Sequence, residues 1–198
     1  MAHPSIANTE EHTRVIQICV TGPECTGKTT LAHRLAAHFR AELVPEAARL
    51  YAERVNRALT PDDVELIATE HITMADDAAR RVIDRGGGTV ILDQDLVSTV
   101  VYGEDYYHFS SEWLSTESRR RHAQLYLLCD VDVPWVNDGI RDRPINRESM
   151  YTLFASALAA LDLPVAGIHG SWDERWRLAL IACRSAIDAT RSLTHSAP

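Results

Sequence analysis

The stretch Gly22-Pro-Glu-Cys-Thr-Gly27-Lys28-Thr29 decides the fold, because it fits the phosphate-loop pattern G-x-x-x-x-G-K-[ST]. A β-rich run over residues 15–20 leads into it, and a helical pattern starts near Lys28. Strand, glycine loop and helix in this order are the setting in which the pattern binds phosphate. The glycines let backbone N–H groups point at phosphate oxygens, and the helix N-terminus adds partial positive charge. The alternative is a glycine loop that matches by chance.

The residues of this loop have distinct expected roles. Lys28 is expected to supply a catalytic positive charge to the β- and γ-phosphates, and the Thr29 hydroxyl is expected to bind Mg²⁺. We therefore predict a nucleoside triphosphate and Mg²⁺ as cofactors, and the lack of an N-K-x-D guanine motif favours ATP. The predicted ATP-binding residues are Gly22, Pro23, Glu24, Cys25, Thr26, Gly27, Lys28, Thr29 and Thr30, joined by Arg143 from a later loop.

Length and composition indicate a compact enzyme that acts on small molecules. The 198 residues suit one domain, and we expect it to span residues 14–189, between a flexible lead (1–13) and a flexible tail (190–198). The net charge of -8 argues against a nucleic-acid partner. No apolar run reaches the roughly 20 residues that cross a membrane, and the first residues lack a signal peptide. Whether the chain forms a homo-oligomer stays open.

The four cysteines suggest a reducing compartment, so the cytoplasm is the expected location. Their spacing fits neither a C-x-x-C motif nor a zinc site. Cys19, Cys129 and Cys183 lie in apolar runs and are expected in the core. Cys25 is either a reactive thiol in the phosphate loop or a small side chain tolerated there.

Strand and helix patterns alternate along the chain, which predicts an α/β, three-layer P-loop fold with a mostly parallel sheet. Residues 102–122 are expected to form a short helical excursion from it. Thr60 and Pro61 carry helix-start chemistry, and Gly86-Gly87-Gly88 should end that helix. Strands are expected over residues 15–20, 41–44, 89–92, 124–129 and 165–168, and helices over residues 28–39, 61–85, 147–161 and 172–189.

Carboxylates at the ends of two predicted strands are the candidate metal-binding and general-base groups. Asp93 ends an apolar strand, the pattern that places a carboxylate beside the Mg²⁺ of a nucleotide. Asp95 would face the same side if the strand persists, and could be a general base, with a helix cap or turn residue as the alternative. Glu46 follows the second strand and is the other candidate base. Arg49 would share a helix face with Glu46, so a surface ion pair is the alternative.

An arginine-bearing loop follows the fourth strand. Arg141 and Arg143 lie between a glycine and a proline, which suits a lid that closes over the nucleotide and neutralises transition-state charge. The alternative is a solvated turn with internal Arg–Asp pairs. Trp135 could stack on a planar ring or belong to the core.

Two segments resemble a known family. Leu92-Asp-Gln-Asp-Leu-Val-Ser-Thr99, with Tyr102 downstream, and Pro134-Trp-Val-Asn-Asp-Gly-Ile-Arg141 are similar to the ribosylnicotinamide kinase domain of bacterial NadR and its AAA-like ATPase relatives. Together with the phosphate loop, the resemblance covers about residues 15 to 188. It implies a kinase that transfers the γ-phosphate of ATP to nicotinamide riboside, giving nicotinamide mononucleotide. The acceptor-binding residues are then expected to be Glu46, Arg49, Asp95, Tyr102, Trp135 and Asp138.

One residue departs from the pattern of this family. The kinases of the group carry an aromatic residue just before the glutamate that matches Glu46, suited to stack on the nicotinamide ring, whereas this chain has Pro45. A kinase for another nucleoside or small metabolite therefore remains an alternative. A third alternative is an ATP-dependent regulatory switch that hydrolyses slowly and signals to a partner protein.

Overall fold

The computed structural model describes residues 15–133 and 147–192, and side chains as far as residue 190. Its centre is a five-stranded sheet in the order β2-β3-β1-β4-β5, with every neighbouring pair parallel. The strands are β1 (Val15–Thr21), β2 (Glu42–Val44), β3 (Gly88–Asp93), β4 (Leu125–Cys129) and β5 (Val165–Ile168). The helices within the described ranges are α1 (Lys28–Phe39), α2 (Ala47–Val55), α3 (Val64–Asp84), α4 (Leu96–Tyr107), α5 (Glu112–Arg120), α6 (Arg147–Ala160) and α7 (Trp172–Ser192).

Helices cover both faces of the sheet, as the three-layer prediction requires. Successive residues of a strand point to opposite faces, so β1 sends Ile18 and Val20 to one side and Cys19 to the other. The first side packs against α1 and α7, and the second against α3 and α6. The three central strands, β1, β3 and β4, are buried on both faces and read as continuous apolar runs, which is why their positions could be predicted from sequence.

Local signals at the helix ends agree with the sequence prediction. A capping box joins Thr60 and Asp63, and Pro61 opens a short 3-10 turn (Pro61–Asp63) before α3. Beyond α3, the N–H of Gly87 donates to the carbonyl of Val82 at 2.9 Å, which closes the helix before β3. The three cysteines expected in the core, at 19, 129 and 183, are fully buried.

The segment after β3 differs from the prediction. The strand does not persist to Asp95: it ends at Asp93, and Gln94 turns the chain with φ 72°. Helix α4 then begins at Leu96, six residues before the predicted excursion, and α5 follows as a separate helix. Burial of Leu96 and Val97 beneath α3 outweighs the strand preference of the β-branched run in α4.

Among the helices of the described ranges, none is long and apolar enough to cross a membrane.

Candidate functional site

The phosphate loop joins β1 to α1 and depends on two glycines in the left-handed region. Gly22 has φ 129° and Gly27 has φ 80°. A Cβ on Gly22 would lie 2.7 Å from the carbonyl oxygen of Cys129, and one on Gly27 would lie 2.6 Å from the ring of Trp172. Larger residues would therefore meet both a steric and a conformational barrier here. Cys25, half-buried in the same loop, also has a positive φ of 52°.

Lys28 lies inside this loop rather than in solvent. It is 3% exposed, and its Nζ donates to the carbonyl oxygen of Pro23 at 2.6 Å. The Thr26 hydroxyl donates to the same carbonyl at 2.9 Å. Lys28 is also the only lysine in the chain, whose other fixed cations are arginines. A compact ammonium is thus placed where phosphate oxygens would meet the first turn of α1.

Two arginines from distant helices hold the loop from outside. Arg175 of α7 is 2% exposed, donates to the carbonyls of Thr26 at 3.0 Å and Gly170 at 3.1 Å, and pairs with Asp132. Arg147, at the start of α6, donates to the carbonyl of Cys25 at 3.3 Å. The sequence analysis did not select either arginine, because long-range contacts to backbone carbonyls leave no local pattern.

Asp93 lies beside the phosphate loop at the carboxyl end of β3. It is 2% exposed and pairs in register with Val20 of β1, two residues before Gly22. Thr29 lies in the first turn of α1 and is half-buried. A carboxylate and a hydroxyl are oxygen ligands that fit Mg²⁺. No group of three or more His, Cys, Asp or Glu able to hold a metal occurs in the described ranges.

A cavity of about 380 Å³ opens between α2, α3 and α4. This volume is in the range of sites for small organic ligands. Its lining is mainly apolar. The polar and aromatic lining residues are Glu24, Glu46, Arg49, Arg57, His71, Gln94, Asp95, Ser98, Thr99, Tyr102, Tyr106 and Tyr107.

Of the two candidate bases, Asp95 is engaged as the N-cap of α4. Its Oδ1 accepts from the N–H groups of Val97 at 3.1 Å and Ser98 at 3.3 Å, and its Oδ2 accepts from the Tyr126 hydroxyl at 2.5 Å. Asp95 is 3% exposed, and this burial raises the pKa of its carboxyl even though the three hydrogen bonds oppose the rise. The capping role that the sequence left open is therefore present.

Glu46 occupies the N-cap position of α2 but makes no side-chain capping bond there. Its carboxylate lies 3.6 Å from the Nε of Arg49, so the ion pair considered from the sequence is present. The pair is at the cavity wall rather than on an open surface: the Glu46 side chain is 12% exposed and that of Arg49 is 34% exposed.

Two tyrosines of α4 connect the cavity to the phosphate loop. The Tyr102 hydroxyl donates to the carbonyl of Gly22 at 3.4 Å, and the Tyr106 hydroxyl donates to the carboxylate of Glu24 at 2.9 Å. The structure thus brings Tyr102, a predicted acceptor contact, to the boundary between loop and cavity. Trp135, Asp138, Arg141 and Arg143 lie outside the described residues, so their roles stay predictions.

His71 is a cavity residue that the sequence analysis missed. It lies within α3 at 6% exposure, where a lone histidine on an apolar helix face gives no distinctive signal. Burial and, to a smaller extent, the nearby positive charge of Arg121 together lower the pKa of its imidazole to about 4, although Asp76 opposes the shift. Its ring is therefore neutral near pH 7 and can serve as a donor or an acceptor.

A family model described as an AAA domain matches residues 17–175. The chain belongs to this AAA domain family. A search of curated proteins gave no match.

Solved structures give the same fold for this AAA domain protein. A crystal structure of NadR protein in complex with NR is 25% identical, with a TM-score of 0.69 over 87% of this chain and 51% of that one. A NadR complex with NAD and AMP-PNP is 24% identical, with a TM-score of 0.65 over 87% and 49%. A thymidylate kinase from Ehrlichia chaffeensis is 14% identical, with a TM-score of 0.57 over 86% and 98%.

These comparisons confirm the resemblance to the NadR kinase domain and the P-loop fold predicted from sequence. The AAA domain protein spans about half the length of the NadR chains it matches. Its phosphate loop is a nucleotide-binding site of the kind shared by P-loop kinases.

Proposed function

We propose that the protein is an ATP-dependent kinase that transfers the γ-phosphate to a hydroxyl of a nucleoside, with nicotinamide riboside as the favoured acceptor and nicotinamide mononucleotide as its product. The observation that carries this proposal is the cavity of about 380 Å³ beside the phosphate loop. It has the size for a nucleoside, and a carboxylate and hydrogen-bonding groups lie on its walls. A nucleotide switch without an acceptor has no need of such a cavity.

Phosphoryl transfer depends mainly on positioning and on charge stabilisation. In the proposed reaction, Lys28 contacts the β- and γ-phosphates from within the loop. Thr29 and Asp93 would hold Mg²⁺, which supplies charge neutralisation between the phosphates when bound. Arg141 and Arg143 remain the predicted lid arginines.

Glu46 is the better candidate for the general base. Both Asp95 oxygens are committed to backbone N–H groups and to Tyr126, so abstracting a proton there would disturb the cap of α4. The carboxylate of Glu46 lies at the cavity wall without a capping bond, 3.6 Å from the Nε of Arg49. In this arrangement Glu46 accepts the hydroxyl proton, and Asp95 stabilises the start of α4 as its N-cap.

The choice of acceptor rests on resemblance. NadR in complex with NR is the 25% identical structure, and it supports a nicotinamide nucleoside as the acceptor. Pro45 favours a second candidate, another nucleoside, because a pyrrolidine ring offers no aromatic face to stack on nicotinamide. Both candidates use the same chemistry at the transferred phosphate.

The proposal is tested by measuring ADP release from Mg·ATP, first without an acceptor and then with nicotinamide riboside and a panel of other nucleosides. A kinase that keeps water from the γ-phosphate should release little ADP alone and much more with its acceptor. Stimulation by nicotinamide riboside supports the favoured acceptor, and stimulation by another nucleoside supports the second. Slow release that ignores every acceptor contradicts the kinase and favours the regulatory switch.

A further inference from the structure

Gln94 is a buried carboxamide at the junction of β3 and α4. It is 6% exposed and lines the cavity between α2, α3 and α4. Its backbone has φ 72°, and its N–H donates to the carbonyl of Val20 at 3.0 Å, so the residue is tied to the end of β1. Neither of the candidate roles of Asp93 and Asp95 involves the glutamine between them.

Hydrogen bonds determine which end of the Gln94 carboxamide is left without a partner. The N–H of Asp95 donates to the Ser98 hydroxyl oxygen at 3.5 Å, and the Ser98 and Thr21 hydroxyls lie 3.0 Å apart. The Thr21 hydroxyl in turn donates to the Oε1 of Gln94 at 3.1 Å. Since Oε1 accepts from Thr21, the Nε2 group is the end that remains for another partner.

The Nε2 of Gln94 is buried and has no hydrogen-bond partner in the part of the chain that the structure describes. Buried donors left unsatisfied are rare in proteins, and each calls for an explanation. Gln94 lines a cavity of ligand size, so a bound ligand can supply the missing hydrogen-bond partner.

We propose that Gln94 positions the acceptor by donating a hydrogen bond from Nε2 to a sugar hydroxyl oxygen, other than the hydroxyl that is phosphorylated. An N–H group that only donates selects an oxygen with a lone pair. Gln94 directly follows Asp93, so it faces the part of the acceptor nearest the phosphates, which is the sugar rather than the base. This inference rests on the proposed kinase function and adds a residue that sets its acceptor specificity.

The test uses two variants of the full chain, with the best acceptor from the nucleoside panel. Gln94→Glu keeps an oxygen for Thr21 but replaces the donor with a second oxygen, and Gln94→Met removes hydrogen bonding at similar length. We expect each to raise the acceptor KM by about 10- to 100-fold, with the ATP KM unchanged. Gln124→Glu is the matched control, since the Gln124 carboxamide accepts from the N–H of Gln17 outside the cavity and its KM values should not change.

A second measurement compares acceptor analogues on the wild-type protein and on Gln94→Met. Removing the contacted hydroxyl, as a 2′-deoxy or 3′-deoxy nucleoside, should raise the wild-type KM by a similar factor. In Gln94→Met the same removal should change little, because the partner is already lost. Equal acceptor KM values in wild type and variants, or parallel changes in acceptor and ATP KM, would overturn the role of Gln94 but not the proposed kinase function. A wild-type protein that no nucleoside stimulates would overturn both this inference and the proposed function.

Discussion

At the scale of single residues, a few side chains in unusual environments carry the proposed chemistry. Lys28 is the only lysine of the chain and is almost fully buried in the phosphate loop. Its ammonium now contacts the carbonyl of Pro23, a contact that phosphate oxygens would replace. Because no other side chain carries a primary amine, an amine-reactive reagent can modify Lys28 without modifying any other side chain of this kind.

The first prediction concerns this lysine. Acylation of the protein with an amine-reactive ester should abolish acceptor-stimulated ADP release, because a neutral Lys28 no longer attracts phosphate. Mg·ATP should protect both the activity and the peptide that contains Lys28, as read by mass spectrometry. In Lys28→Ala the activity should already be about 10²- to 10³-fold lower, and the reagent should have no further effect. Loss of activity with Lys28 unmodified would contradict the assignment.

The second prediction separates the two candidate bases. Glu46→Gln should lower kcat by roughly 10²- to 10⁴-fold while acceptor binding is retained, because the proton acceptor is lost and the shape is kept. Asp95→Asn should mainly lower stability, since the cap of α4 and its partner Tyr126 are affected. Steady-state kinetics and urea unfolding on both variants decide the matter. A full kcat loss in Asp95→Asn with unchanged unfolding would reverse the assignment.

At the scale of secondary-structure elements, α7 holds the phosphate loop from outside. The buried guanidinium of Arg175 joins the loop carbonyl of Thr26, the β4 end through Asp130, and the turn before α7 through Gly170. The loop conformation that binds phosphate is therefore stabilised by a helix more than 140 residues away along the chain.

The third prediction concerns the loss of the Arg175 hydrogen bonds that support the loop. Arg175→Met should lower the free energy of unfolding by roughly 2 kcal/mol or more, since several charged hydrogen bonds are lost and the carbonyls stay buried. The KM for ATP should rise with it. Arg177→Met is the matched control, since Arg177 lies two residues further along the same helix and is exposed. An unchanged ATP KM in Arg175→Met would show that the loop holds its shape without α7.

Elements with strong local signals could be predicted from sequence, and elements determined by packing could not. Helix α1 and strand β5 have the predicted bounds, because a glycine loop and short apolar runs mark them. Helix α2 was suggested only by the spacing of Glu46 and Arg49. Helix α4 begins with β-branched residues, so its early start depends on the Asp95 cap and on burial that sequence does not display.

The residues of the candidate site divide in the same way, into those with a local sequence signal and those without one. The phosphate loop, Asp93 and Glu46 follow strand ends, where parallel sheets collect ligands, and sequence could place them. His71 reaches the cavity through the packing of α3, and Gln94 lines it from the turn after β3, where the sequence left open that the strand persists. The choice between base and cap for Asp95 needed the position of the Tyr126 hydroxyl, 31 residues away.

At the scale of the whole molecule, the buried His71 links stability to pH. Its pKa is about 4 in the folded protein, below the ordinary 6.5, because burial disfavours the charged ring. Between these values the unfolded chain binds a proton that the folded protein does not. Stability therefore falls as pH decreases from about 6.5 toward about 4, and is not affected by this group above pH 7.

The fourth prediction follows from this linkage. Acidification from pH 7 to pH 4 should lower the free energy of unfolding through His71 by roughly 3 kcal/mol. Substituting His71→Gln should make the unfolding curve flatter over this range in urea titrations. The exposed His33 of α1 provides the control, since His33→Gln should leave the pH dependence as in the wild type. Equal pH slopes in all three proteins would contradict the burial argument.

The central claim is that the phosphate loop and the adjoining cavity form one phosphotransferase site. Its most direct test is to follow the label of γ-labelled ATP in the presence of Mg²⁺ and nicotinamide riboside, or the nucleoside that best stimulates ADP release. The account predicts that the label is recovered on the acceptor as its monophosphate, with little inorganic phosphate formed. Label recovered only as inorganic phosphate, at a rate that no acceptor changes, would contradict it.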